Sequence, residues 1–287
     1  MTDTVETSMS ESEIEELRRL QEYIFEIMLE VDRLCRQEGL TYYLGEGSLL
    51  GAARHRGFIP WDDDADLLMP REDYEKFLAI APEKLREGYE LDCIYTNPQH
   101  WSIPSMVQLT RSTEFEKDMY RGIALNCGPN LDIFPLDYVP AQESFEIRLR
   151  AKLINIFKRT LWIKTGIHTG AKYRTLKRRL MYYYPCRLVG MFTTVEGLHR
   201  RINRLLTKSG GSENGYLANF ASLYRITRET FPKEWFAQPC ELEFCGHGFC
   251  APSQYEKVLE KLYGDYMTLP PVENRRSKHH FNNFNEE

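Results

Sequence analysis

No run of apolar residues in this chain is long enough to cross a bilayer. The first sixteen residues have neither a positive start nor an apolar stretch, so no signal peptide is expected. Excess positive charge is also missing. A net charge of −5 and a pI near 5.9 do not suggest a general nucleic-acid binder. The seven cysteines are odd in number, and Cys35, Cys93, Cys127 and Cys186 stand far apart. They do not form a disulfide framework and suit a reduced interior. The expectation is a soluble cytoplasmic protein. Acid is nearly absent from one segment: between Arg148 and Lys208 there are sixteen Lys and Arg and one acid, Glu196. Aromatic and aliphatic residues interleave with these cations, which predicts a basic helical insertion over residues 146–212.

What is present suffices for a packed core, since 42% of residues are hydrophobic. Residues 1–10 read as disordered. Ser12-Glu13-Ile14-Glu15 resembles a capping box opening a long amphipathic helix with Leu17, Leu20, Ile24, Met28, Val31 and Leu34 on one face. Gly39 can end that helix in a left-handed cap. The pattern then predicts a strand at 40–44, the turn Gly45-Glu46-Gly47-Ser48, and one or two helical turns at 49–54. A strand at 64–69 and a helix from Asp73 to about Leu85 follow. Further strands are expected at 89–95, 105–109 and 130–134, and a hairpin and a helix at 252–263 after Glu241. This is an α/β (α+β) pattern, a mixed sheet with flanking helices. A core at 11–145 would be completed by residues 213–287.

Four carboxylates fall within five residues in Trp61-Asp62-Asp63-Asp64-Ala65-Asp66-Leu67. In an extended strand Asp62, Asp64 and Asp66 share one face and Asp63 takes the other, with same-face neighbours about 6–7 Å apart. Such carboxylates repel one another, and burial raises a pKa unless a cation is shared. A calcium loop of the EF-hand type is excluded, because position six is Leu67 and position twelve is Asp73. A third carboxylate from elsewhere would complete a site. Asp132, a lone charge in Leu131-Asp132-Ile133-Phe134, is the candidate, while Asp137 reads as a turn residue after Pro135.

Gly45-Glu46-Gly47-Ser48 fails as a dinucleotide fingerprint, since Gly51 comes one residue late, and no Walker motif exists. It remains a turn whose N–H groups can face a phosphate. Cys240, Cys245, His247 and Cys250 fit no tight zinc knuckle and read as hairpin packing. His279-His280 is either a phosphate contact or a solvated tail.

The stretch Gly47-Ser48-Leu49-Leu50-Gly51-Ala52-Ala53-Arg54-His55-Arg56-Gly57-Phe58-Ile59-Pro60-Trp61-Asp62-Asp63-Asp64-Ala65-Asp66 resembles the signature of the LicD family of phosphocholine transferases, relatives of the fukutin-type phosphosugar transferases. Arg71 to Phe77, Leu131 to Asp137, Leu262 to Met267 and Pro270-Pro271 continue the resemblance. It implies a nucleotidyltransferase-like fold in which Asp64, Asp66 and Asp132 hold Mg²⁺, or Mn²⁺, and Gly47 and Ser48 hold donor phosphate. Asp62 or Asp132 would act as general base. Arg54, Arg56, His279 and His280 would contact phosphate. Gln108 stands where this family would have a lysine, which passes that contact to Arg111 or removes it.

The implied reaction moves phosphocholine, or a similar group, from CDP-choline or another CDP-linked donor to a hydroxyl of a surface glycan or its lipid-linked precursor, releasing CMP. Two other readings stay open. One is nucleotidyl transfer to a small acceptor; the other is an inactive binding module of the same fold. The basic insertion either meets a polyanionic or lipid-linked acceptor at an anionic membrane, on its inner face, or caps the core with solvated cations.

Overall fold

The computed structural model describes residues 7–110, 118–120, 123–125, 129–141, 144–166, 175–208, 215–222 and 224–276. Helix α1 spans Glu11–Glu38. Its cap is Ser10, not Ser12. The Ser10 hydroxyl accepts from the Glu13 N–H, and the Glu13 carboxylate accepts from the Ser10 N–H at 2.7 Å. Ser10 is extended, so its side chain can turn back to the helix, whereas Ser12 already lies inside the first turn. Gly39, at φ +64°, closes the helix as expected. One face of α1 is buried from Leu17 to Cys35 and packs on the central strands.

The chain then runs through β1 (Tyr43–Leu44), α2 (Glu46–His55), β2 (Asp66–Pro70), α3 (Arg71–Lys84), β3 (Tyr89–Asp92) and β4 (Ser105–Leu109). The short strands β5 (Asp118–Tyr120) and β6 (Ile123–Leu125) form a separate hairpin, and β7 spans Asn130–Val139. The central sheet has the order β1-β2-β7-β4-β3. Only β2 and β7 are parallel in it; the other pairs are antiparallel. This is the mixed α/β architecture expected.

Three boundaries differ from expectation in ways that matter. The helix after the glycine turn begins at Glu46 and takes in Gly47 and Ser48. The aspartate strand begins only at Asp66, because Asp62 to Ala65 are irregular. Strand β7 continues through Pro135 and Asp137, so Asp137 is a buried strand residue and not a turn. Pro135 falls between the part of β7 that pairs with β4, which ends at Ile133, and the part that pairs with β8, which starts at Asp137, so one edge of the strand has no ladder partner at the proline.

Helices α4 (Phe145–Thr165), α5 (Leu176–Arg178), α6 (Tyr184–Met191) and α7 (Val195–Leu206) follow, with a π turn at Arg179–Tyr183 joining α5 to α6. They lie between two strands that pair with each other: β8 (Tyr216–Ala218) returns antiparallel to β7 and pairs with β9 (Thr230–Pro232). The hairpin β10 (Cys240–Phe244) and β11 (His247–Ala251) precedes α8 (Tyr255–Tyr263). Phe244 and Phe249 from that hairpin pack on Phe25 of α1, as ordinary core. The His247 ring meets Asp32 at 2.9 Å, and no zinc-like cluster is found there among the described residues.

Candidate functional site

The glycine turn clamps the first residue of β2. The Gly45 N–H donates to the Asp66 carbonyl at 3.0 Å, and the Asp66 N–H donates to the Ser48 hydroxyl at 2.9 Å. The Asp132 N–H donates to the Ala65 carbonyl at 3.0 Å. In the parallel ladder Asp66 and Asp132 are direct partners, so both side chains leave the same face of strands about 4.8 Å apart. The long connection from residue 66 to 132 therefore closes on a pair of facing carboxylates.

Asp62, Asp63 and Asp64 gather beside them. Their carboxylate oxygens lie within 4.8 Å of one another. Asp63 was expected on the opposite face. It joins the cluster because this segment is not an extended strand and alternation does not apply. Burial lifts the Asp66 carboxyl well above the usual carboxylate range, and the charges of Asp64, Glu46, Asp132 and Asp62 lift it further, in that order. Hard carboxylate oxygens at this density suit a divalent cation bound through oxygen.

Glu46, given no role from sequence, is a second centre. It sits at φ +35°, a conformation that side-chain-bearing residues rarely adopt. Its carboxylate accepts from the Asn219 amide at 3.2 Å. Burial pushes Glu46 up to about 7, with Asp64 adding to the shift. Lys158, from α4, opposes this. Lys158 is only 3% exposed, donates to the Ala221 carbonyl, and is lowered by burial to about 8. Glu229, 1% exposed, accepts from Ser222 at 3.1 Å, and its carboxyl is raised by burial and by Glu46. The segment expected to be a separate basic insertion thus places one cation in the wall of the acidic centre. No local pattern in the sequence could have joined residues 46, 158 and 229; α4 is rich in cations, and nothing in its composition singles out Lys158.

The remaining expected residues divide. Gly47 lies against Asp62: a Cβ added there would stand 2.7 Å from Asp62 Oδ2. Ser48 is buried and engaged with the Asp66 backbone. Arg54 is half-buried, donates to the Tyr266 carbonyl at 2.7 Å and feels the charge of Asp62, so it belongs to the rim of the site. Arg56 does not. It ends α2 in a left-handed conformation, is exposed and faces Glu243 at 3.8 Å. About nine helical residues, or roughly 13 Å, separate it from Gly47. Arg111, His279, His280 and Cys127 lie outside the described residues. A cavity of about 470 Å³ opens on the other face of the sheet, where Tyr74, Ser105, Pro135, His100 and His199 line it and no aspartate does.

Residues 39–127 match the family described as LicD/FKTN/FKRP, nucleotidyltransferase domain. The chain carries a LicD-family domain. The match includes the glycine clamp and all four clustered aspartates. A relative from Haemophilus influenzae, the lipopolysaccharide cholinephosphotransferase LicD, is 26% identical over 86% of this chain and 89% of its own length. Likeness to that protein therefore runs beyond the LicD domain into the helices and C-terminal strands. Ribitol 5-phosphate transferase FKRP from mouse and human is 60% identical over 35 residues, 12% of this chain and 7% of those proteins. The fukutin-type relation rests on this short, dense match.

The LicD domain gives one direct prediction. Gly47→Ala keeps or improves the helix, since alanine is favoured over glycine inside a helix by about 1 kcal/mol. The new methyl must, however, displace the Asp62 carboxylate. The expected result is an unchanged melting temperature with at least a tenfold lower turnover. Unchanged turnover would remove Asp62 from the working site.

Proposed function

We propose that this protein transfers a phospho-substituent, phosphocholine in the first instance, from a CDP-linked donor to a hydroxyl of a glycan or a lipid-linked glycan precursor. The observation that carries the reading is the pair of facing carboxylates, Asp66 and Asp132, held at the mouth of a glycine-clamped helix. The names of the two kinds of relative, a cholinephosphotransferase acting on lipopolysaccharide and a ribitol 5-phosphate transferase, support it.

Asp64, Asp66 and Asp132, with Asp62 beside them, are the donor set assigned to Mg²⁺ or Mn²⁺, because the charges of Asp64, Asp132 and Asp62 all act on the buried Asp66. The carboxylates whose oxygens come within 4.8 Å of one another among the described residues are Asp62, Asp63 and Asp64. A bound ion would supply positive charge to the diphosphate of the donor. The N-terminal turn of α2, at Gly47 and Ser48, offers backbone N–H groups to donor phosphate. The acceptor oxygen attacks the phosphorus that bears choline, the bond from that phosphorus to the bridging oxygen breaks, and CMP leaves. The hydroxyl proton passes to a carboxylate, Asp132 or Asp62, or to Glu46, whose pKa near 7 suits proton uptake at neutral pH. Tyr224 and Tyr263 meet at a right angle with ring centres 6.4 Å apart, and the charges of Glu46 and Asp66 reach both. A quaternary ammonium is drawn to such a combination of aromatic faces and carboxylates.

The test is a melting series with CDP-choline, CDP-ribitol and CTP, each with and without Mg²⁺. A donor at a hundred times its dissociation constant adds about 2.7 kcal/mol, roughly 5 °C for a chain of this length. The expected result is stabilisation by CDP-choline that requires the ion, followed by CMP release when acceptor is added. Stabilisation by CTP alone, with pyrophosphate as product, would replace this reading with nucleotidyl transfer.

A further inference from the structure

Helices that close over a core normally show water a polar face. Helix α4 does not. Its inner stripe, Ile147, Ile154, Lys158 and Leu161, is buried, while Phe145, Leu149, Leu153 and Ile156 form a second apolar stripe on the opposite side, exposed by 81, 44, 37 and 46%. Helix α6 repeats the arrangement. Cys186 and Gly190 face α4, where the Lys164 ammonium donates to the Gly190 carbonyl at 2.9 Å. Leu188, Met191 and Phe192 point away, exposed by 56, 64 and 80%. Neither α5 nor the π turn buries any residue. Of the fifteen large hydrophobic side chains exposed among the described residues, twelve lie between 145 and 192. An apolar surface so concentrated marks a contact with something else.

The charge of that surface selects the partner. No acid occurs between residues 147 and 195. Arg148 and Lys152 follow the edge of the outer α4 stripe, and Lys177, Arg178, Arg179 and Arg187 stand exposed along α5 and α6. A second copy of the chain would bring two strongly cationic faces together, which is unfavourable. An anionic bilayer satisfies both components: headgroups take the Lys and Arg, and the acyl boundary takes the leucines and phenylalanines. No helix among the described residues is long and apolar enough to cross a membrane. We propose that the outer face of α4, α5 and α6 lies on an anionic lipid surface. Lys158, on the inner side of α4, donates to the Ala221 carbonyl and its charge acts on Glu46, so one helix contributes both to the wall of the acidic centre and to that lipid-facing surface. Placement of the site over a lipid-linked acceptor rests on the phosphotransferase reading; the binding itself does not.

The experiment is flotation of the full chain with vesicles of phosphatidylcholine alone and of phosphatidylcholine with 30% phosphatidylglycerol, at low and high salt. The expected result is flotation with the anionic vesicles, weakened by salt and at least tenfold weaker with neutral ones. Two variants separate the components: Leu188→Asp with Met191→Asp, and Lys177→Glu with Arg178→Glu and Arg179→Glu. Each should lose at least tenfold of the bound fraction while its melting temperature and its donor-induced shift persist. Failure of the native chain to float with anionic vesicles at low salt would overturn the proposal. So would a native dimer in light scattering that the Leu188→Asp, Met191→Asp variant converts to monomer. Flotation without a donor response would leave membrane binding standing and remove the phosphotransferase reading.

Discussion

Asp66→Asn is expected to lower transfer by on the order of a thousandfold or more, about 4 kcal/mol of transition-state stabilisation, while raising the melting temperature of the metal-free protein. The two effects have one cause. Asp66 is 8% exposed and surrounded by the charges of Asp64, Glu46, Asp132 and Asp62. Its ionised form costs stability until a cation offsets the repulsion. The amide keeps the shape and removes the charge, so the fold gains what the chemistry loses. The same cluster sets a pH dependence. The folded-state pKa of Glu46, about 7, lies above its ordinary value of 4.5, and Asp66 shifts in the same direction. For a carboxyl raised on folding, the stability present at low pH is lost as pH rises through the folded pKa. The metal-free protein should therefore melt higher at pH 6 than at pH 8, and Mg²⁺ should flatten that slope. Lys158, lowered to about 8, acts in the opposite direction only above that pH. Melting curves at both pH values, with and without the ion, check this. A metal-free protein that melts higher at pH 8, or an Asp66→Asn variant with full turnover, would remove the acidic centre from the argument.

The parts of this design that depend on local pattern were legible in the sequence. The strand 105–109 was placed to the residue, the long amphipathic helix and its glycine cap were evident, and Asp132 stood out as a lone charge among strand formers. What alternation cannot show is where a strand starts. Asp62 to Ala65 lie outside the ladder, which changes the company of Asp63. Nor can a single sequence show which distant side chains converge. Glu46 meets Asn219 across 173 positions, and the charge of Lys158 acts on the same carboxylate from a segment that composition marks only as basic. These contacts are made by tertiary packing, and no propensity encodes them. Asp137 was misread for the same reason: its partner lies 66 residues away in the chain.

That partner makes the second large prediction. Asp132 and Asp137 share strand β7, but they are five residues apart and so leave opposite faces. Asp132 faces Asp66. Asp137 is 1% exposed and receives Arg71 in a two-pronged contact, Nε to Oδ1 at 2.7 Å and Nη2 to Oδ2 at 2.9 Å, while Arg71 Nη1 reaches Glu75 at 2.9 Å. Burial opposes the charge on Asp137, but a bidentate guanidinium at these distances holds the pair ionised. Asp137→Ala leaves a buried guanidinium with much of its compensation gone, at a cost of about 3–5 kcal/mol, or roughly 5–8 °C in melting temperature. Replacing both partners, Arg71→Met with Asp137→Leu, should recover most of that loss, because the desolvation penalty disappears with the charges. The two aspartates thus predict opposite phenotypes from one strand. Asp132→Asn should stop transfer with the melting temperature kept. The Asp137 and Arg71 double variant should keep transfer when assayed well below its melting temperature. Should the Asp137→Ala protein melt normally and yet fail to turn over, the salt bridge would belong to the chemistry, and the division of β7 into a working face and a supporting face would be wrong.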